Sequence, residues 1–278
     1  MSVDTFTIIT FAGSLLAGLI GSLTGLGGGV IIIPLLTLGL GVDLHYAIGA
    51  SLISVIATSS GAAAAYVKEG ITNMRIGMFL EIATTIGAVI GALLAGFIPA
   101  SIIAVIFSLI LIYSAINSIQ KKVNHEENRP DDKWALRFKL NGSYPAADGV
   151  HQYSVRNVPG GFIMMAFAGV MSGLLGIGSG ALKVLAMDKI MRIPFKVSTT
   201  TSNFMIGVTA AASAVIYFQK GYIIPGIAAP VMLGVLIGAM TGSRLLVKVK
   251  PEKLRWIFAI VVTFLALQMI WKAATGGF

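Results

Sequence analysis

Residues 23–34 read LTGLGGGVIIIP, and residues 174–185 read LLGIGSGALKVL. In both stretches glycines crowd a segment that is otherwise as apolar as a membrane helix. Glycine surrenders more backbone freedom than any other residue when it is ordered in a helix. Each stretch therefore predicts a helix that stops, turns and restarts. The surrounding chain decides which solvent this happens in. Of 278 residues, 56% are hydrophobic, only 11% are charged and 33 are glycine, with a mean hydropathy of +0.89. That balance leaves too little polar surface for a water-soluble globule and places the chain in a bilayer.

Apolar runs without central charges recur at about 46–67, 76–97, 100–119, 197–219, 223–247 and 254–272. A hydrocarbon core about 30 Å thick is crossed by about 20 helical residues, so these six read as full spans. The regions at about 6–40 and 160–190 are broken by glycines and read as hairpins that enter and return. Residues 1–10 carry Asp4 but no Lys or Arg, unlike a secretory signal, and are read as the start of a retained first span. Cysteine is absent, which removes disulfides, thiolate metal sites and thiol nucleophiles together.

Sliding the sequence against itself by 151 positions reveals an internal repeat. Ala17, Gly18, Leu23, Gly25, Gly27 and Gly29 fall on Ala168, Gly169, Leu174, Gly176, Gly178 and Gly180. Ser51, Thr58, Tyr66 and Gly70 fall on Ser202, Thr209, Tyr217 and Gly221, and Gly87 and Gly91 on Gly238 and Gly242. The net charge of +9 gathers in loops rather than on one face, so it points to membrane orientation and not to nucleic acid. Lys121, Lys122, Arg129, Lys133, Arg137, Lys139 and Arg156 make the 120–159 connection cytoplasmic by the positive-inside rule. Lys189, Arg192 and Lys196, then Lys248, Lys250, Lys253 and Arg255, mark further cytoplasmic turns, which puts both termini outside.

The expected fold class is thus an all-α membrane protein. It is an inverted-topology repeat of two five-segment units, with about 10 membrane segments, two of them glycine-broken hairpins. The expected division is a first transmembrane repeat at 1–119, a cytoplasmic connection at 120–159 and a second, inverted repeat at 160–278. In the connection, WALRFKLNG and GVHQYSVRN alternate apolar and polar residues about a Gly, Pro and Asp rich turn, predicting two short paired strands.

Inverted hairpins bring their breaks together inside the membrane. After each break a short helix restarts at about Val30 or Ala181, and its first N–H groups lack intrahelical partners. With the positive end of the helix dipole these donors form an anion site. The substrate-binding candidates at the breaks are Gly25, Gly27, Gly28, Gly29, Gly176, Gly178, Ser179 and Gly180. The alternative, that these glycines only permit close packing, suits the four-residue ladders Ala83, Gly87, Gly91, Ala95 and Gly234, Gly238, Gly242 better. Lys183, three residues after Gly180, brings a full positive charge to the same helix face, while its counterpart in the first repeat is Ile32. The competing reading has Lys183 snorkel to the cytoplasmic interface.

Glu81, whose counterpart is Met232, is either a proton carrier and partner of Lys183 or a locally paired interfacial carboxylate. Ser51, Thr201, Ser202 and Asn203 are hydroxyl and amide candidates along the substrate path, and Ser198 to Thr200 are read as helix-capping. Asp188 and Lys189 read as a solvated pair. The G-x-G-x-x-A match at Gly176, Gly178 and Ala181 lacks both the strand context and the following acidic residue of a dinucleotide site. No cofactor or metal is expected, and no catalytic cluster marks an enzyme.

The paired motifs GLIGSLTGLGGGVIIIPLL and GVMSGLLGIGSGALKVLAMDK, each followed by a small, hydroxyl-rich helix, resemble the TauE/SafE family of sulfite and organosulfur anion exporters. The resemblance implies a multi-pass cell-membrane permease for sulfite, sulfoacetate, thiosulfate or a similar sulfonate. The partners it implies are a small anionic substrate and the lipid bilayer; no oligomeric state is assigned. Export agrees with an inside-negative potential, which drives anions outward by about 2.3 kcal/mol per charge per 100 mV. Proton-coupled import and an anion channel are the alternatives.

Overall fold

The computed structural model describes residues 2–24, 28–68, 71–119, 132–146, 149–245 and 251–277. The first half contains α1 (Val3–Thr24), α2 (Gly29–Pro34), α3 (Leu44–Lys68), α4 (Met74–Leu94) and α5 (Ala100–Ile119). A short helix, α6 (Lys133–Arg137), and the antiparallel strands β1 (Gly142–Ala146) and β2 (Gly149–Tyr153) form the connection. The second half contains α7 (Val158–Leu175), α8 (Gly180–Leu185), α9 (Phe195–Gln219), α10 (Pro225–Leu245) and α11 (Pro251–Ala274). The described residues are overwhelmingly helical, as expected for an all-α membrane protein.

Four stretches, Val3–Gly21, Met74–Leu94, Val158–Leu175 and Phe195–Gln219, are each long and apolar enough to cross a bilayer. Helix α4 shows the solvent they suit. Met78, Ile82, Ile86 and Ile90 recur every fourth residue and are exposed, whereas Glu81 and Thr84 on the opposite face are buried. A soluble helix turns its apolar stripe inward; this one turns it outward, toward lipid.

The two breaks are alike in two respects. After each, α2 and α8 run directly into a π-helical turn, Leu35–Gly39 and Ala186–Ile190, positions that coincide under the 151-residue offset. In both, the helical pieces before and after the break are unequal in length. Helices α1 and α7 have 22 and 18 residues, while the piece after each break is a 6-residue helix plus a 5-residue π turn. The glycines come late in each region, so the first helix reaches span length before the break.

Packing follows the offset. Helix α1 lies along α10 and α7 lies along α4, while α3 pairs with α9 and α5 with α11. Glycines set the closeness of the long pairs. A methyl group added at Gly87 or Gly91 would strike the carbonyls of Ala166 or Val170 on α7, and one at Gly169 or Gly173 would strike those of Thr84 or Ala88 on α4. Gly18, Gly234 and Gly238 do the same between α1 and α10. The four-residue ladders are packing surfaces, as small residues are between membrane helices.

In the connection, the expected first strand is displaced. Asp132 Oδ1 accepts from Trp134 N at 2.8 Å and caps α6, so residues 134–137 of the predicted strand are helical, and the hairpin forms from Gly142 onward. Asp132 Oδ2 also accepts from Val158 N at 3.0 Å, tying α6 to the start of α7. The hairpin is pinned beneath α4 by Asn73. Its Oδ1 accepts from Ile76 N at 3.1 Å, and its Nδ2 donates to Leu140 O at 3.2 Å and to Tyr153 Oη at 2.7 Å. Burial raises the Tyr153 phenol above its ordinary pKa, with the Asn73 bond opposing the shift, so the phenol stays neutral.

The α4–α7 contact leaves no room for a branched side chain. Gly173→Val is expected to cost about 2 kcal/mol and to lower the unfolding midpoint in detergent by about 5 °C. Gly226→Ala, at a position with nothing within 4 Å, is expected to leave that midpoint unchanged.

Candidate functional site

Lys183 stands on α8, three residues beyond the second break, and is fully buried. It does not snorkel. Its Nζ donates to Thr209 Oγ1, and Thr209 is near the middle of α9. Thr209 in turn donates to Glu81 Oε1 on α4 at 2.6 Å. A second hydroxyl, Thr85 Oγ1, donates to the same carboxylate oxygen at 3.1 Å. Glu81 is 8% exposed, and its other oxygen, Oε2, is buried without a hydrogen-bond partner. The ammonium and carboxylate do not meet as an ion pair; among the described residues the only such contact is His45 with Asp43.

One threonine hydroxyl therefore accepts from the lysine and turns its single proton to the carboxylate oxygen at 2.6 Å, with Met205 O of its own helix the other acceptor in reach at 2.9 Å. An isolated charge in this environment would cost many kcal/mol. The relay spreads both charges over hydrogen bonds while leaving one carboxylate oxygen unused. In the first half Ile32 takes the place of Lys183 and is fully buried. Thr58, the counterpart of Thr209, makes the same contact back to its own helix, to Ser54 O at 3.0 Å, that Thr209 makes to Met205 O at 2.9 Å, but no lysine stands at position 32 for it to meet. The polar centre exists once, not twice.

The breaks are neighbours. A Cβ built on Gly29 would lie 3.5 Å from Gly176 O and 2.6 Å from Ser51 Oγ, and Val55 on α3 touches positions 29 and 178 alike. Gly176, Gly178 and Ser179 all have positive φ, of 67°, 68° and 48°. That left-handed run, which glycine adopts freely and serine rarely does, turns the chain from α7 into α8. Gly28 is right-handed, with φ −68°. Gly25 and Gly27 lie outside the described residues.

The remaining candidates have specific duties. Ser51 Oγ donates across the halves to Gly176 O at 2.8 Å, and Ser202 Oγ donates to Gly180 O at 3.3 Å. Both hydroxyls thus hold the carbonyls of the second break. Thr201 Oγ1 accepts from Asn73 N at 3.1 Å, anchoring the turn before α4. Asn203 is half-buried on α9. Ser198, Thr199 and Thr200 do not cap the helix; they donate to the carbonyls of Ile193, Phe195 and Lys196. Asp188 is 6% exposed rather than solvated, because the π turn that carries it packs against α7 and α9. Sequence reasoning missed Thr209 and Thr85 as site residues. The second was legible in the four-residue spacing from Glu81, and the first in the match of Thr58 with Thr209.

Between the breaks and α5 runs a cleft barely large enough for one water, walled mainly by Val30, Ile110, Leu111, Ile177 and Leu182. The site is closed in this structure, with no passage here for a sulfur oxyanion.

Residues 10–269 match the family described as sulfite exporter TauE/SafE. The chain belongs to that family. This TauE/SafE protein is 28% identical to the probable membrane transporter protein YunE of Bacillus subtilis (strain 168), over 96% of this chain and 98% of that one. It is 26% identical to YjnA of the same organism, also described as a probable membrane transporter protein, over 97% and 100% of the two chains. A third relative so described, YdhB, is 26% identical over 82% and 86%. No solved structure matches the chain. Membership makes the TauE/SafE protein a membrane transporter, and its exposed apolar faces agree.

Removing one partner of the relay leaves the other buried and uncompensated. Lys183→Met is expected to destabilise the TauE/SafE fold by about 3 kcal/mol, and the double variant Lys183→Met/Glu81→Gln to recover most of that loss. Detergent unfolding midpoints of the two variants and the wild type check both.

Proposed function

We propose that the chain exports a small sulfur-containing anion, such as sulfite, sulfoacetate, thiosulfate or a similar sulfonate, across the cell membrane by alternating access. The observation that carries the reading is the completely buried ammonium of Lys183 beside the glycine breaks. A cation held at that depth by neutral and shared hydrogen bonds is ready to exchange partners with an entering anion.

In this reading the two halves are inverted repeats, 1–119 and 160–278, joined by a cytoplasmic connection at 120–159, with both termini outside. The exchange of α1·α10 for α7·α4 under the offset, and the self-pairing of α3 with α9 and of α5 with α11, supports it. Opening parts the halves at the break and releases the Ser51 to Gly176 bond that joins them. The anion then takes the Lys183 ammonium and the donors around Gly28, Gly29, Gly178, Ser179 and Gly180. Thr201, Ser202 and Asn203 border its path, and Gly25 and Gly27, outside the described residues, complete the proposed set. The membrane potential drives the anion outward without a coupled ion. The reading is of transport and not of catalysis.

A second reading, proton coupling, is favoured by one specific contact. The carboxylate of Glu81, joined to Lys183 through Thr209 and with Oε2 unused, is the candidate proton carrier of that reading. The same site would then move anion and proton together and support import.

Proteoliposomes with voltage and pH gradient imposed independently separate these readings. Efflux of labelled sulfite or a sulfonate is expected to follow voltage and to be abolished by Lys183→Ala in protein that still elutes as folded. Dependence on the pH gradient that disappears in Glu81→Gln selects proton coupling. Flux of carboxylates or cations with none of sulfur anions overturns the substrate class.

A further inference from the structure

Helix α5 carries two buried serines that behave differently. Ser108 Oγ donates to Ala104 O at 2.7 Å, the local bond a helical serine ordinarily makes in an apolar setting. Ser114 is 5% exposed and its hydroxyl has no partner. It forgoes the carbonyl of its own helix and lines the cleft beside the second break. Across that cleft stands Ser179, 2% exposed and also unpartnered. Ser179 occupies the N-cap position of α8, where a serine normally accepts a backbone N–H, yet it makes no side-chain cap bond.

An unsatisfied hydroxyl buried in protein costs free energy, and native structures hold few of them. Two of them line one cleft: Ser114 declines the local bond open to a helical serine, and Ser179, left-handed at φ 48°, is not placed to cap α8. Thr10, Ser14, Thr72 and Ser172 also have buried hydroxyls without a partner, but Ser114 and Ser179 are the two that line this cleft. The other side chains around them are aliphatic.

We infer that Ser114, together with Ser179, forms a hydroxyl clamp that donates hydrogen bonds to an oxygen of the transported oxyanion as it passes the second break. The inference rests on the anion-transport reading above and adds to it a residue from α5, in the first half. Leu265, the counterpart of Ser114 in the second half, has no hydroxyl, so the clamp shares the one-sidedness of Lys183. Lys183 supplies the charge and the clamp supplies directional donors on the cleft side of α8. Binding an oxyanion this way selects ligands with oxygen acceptors over a spherical halide.

The test is the concentration dependence of efflux from proteoliposomes holding the full chain, using whichever of sulfite, sulfoacetate and thiosulfate the wild type moves. Ser114→Ala is expected to raise KM about tenfold with the maximal rate within about twofold, the loss of one hydrogen bond to a charged group. The unfolding midpoint without anion is expected to be unchanged or higher, since an unsatisfied hydroxyl is removed. A KM within about twofold of the wild type, the result a serine holding only a bound water would give, overturns the clamp and leaves the transport reading standing. A wild type that moves none of the three anions overturns the transport reading and the clamp with it. If Ser114→Ala does not fold, Ser179→Gly, which removes the other hydroxyl and relaxes the left-handed backbone, decides by the same KM criterion.

Discussion

The hydrogen-bond relay from Lys183 through Thr209 to Glu81 is the constraint around which the rest of the structure is arranged. A lysine ammonium and a glutamate carboxylate are each costly to remove from water, and proteins bury them only with compensation. Here the compensation is assembled from three helices, α8, α9 and α4, and passes through a single neutral oxygen. Thr85 adds a further donor to the carboxylate. Such an arrangement is strong enough to hold two charges inside and loose enough to be rearranged, since neither charge is locked in a direct ion pair.

Holding these helices in register falls to the glycines. Gly87 and Gly91 bring α4 against the α7 backbone, and Gly169 and Gly173 bring α7 against α4. That contact fixes α4, and with it Glu81, against the second hairpin and α9. The broken stretch then redirects the chain through three left-handed residues, so that α8 presents Lys183 to α9 and turns Ser179 and Leu182 toward α5. One short helix thus carries both the lysine and part of the cleft wall. Ser51 and Ser202 hold the carbonyls of the same break.

Much of this was legible in the residues. Hydropathy placed α3, α4, α5, α9, α10 and α11 to within a few positions, because long apolar helices follow from composition with little help from tertiary context. The glycine runs located the breaks, and a lysine inside an apolar run announced the charged site. What stayed hidden depended on distant contacts. Thr209 and Glu81 are 128 positions apart, so no local pattern showed that a threonine would bridge two charges. Ser51 and Ser202 read as free hydroxyls, but carbonyls exposed by the break take them up. The misplaced strand came from an alternating pattern that a single cap at Asp132 overrode, and Asp188 was drawn inward by a π turn that periodicity does not reveal.

The central claim is that the buried cation at Lys183 is what an anion binds. Calorimetric titration of sulfite into the purified wild type and into Lys183→Met/Glu81→Gln tests it directly, because the double variant removes the charge without leaving an uncompensated partner. The account predicts saturable binding to the wild type and none to the folded double variant. Equal binding to both would contradict it.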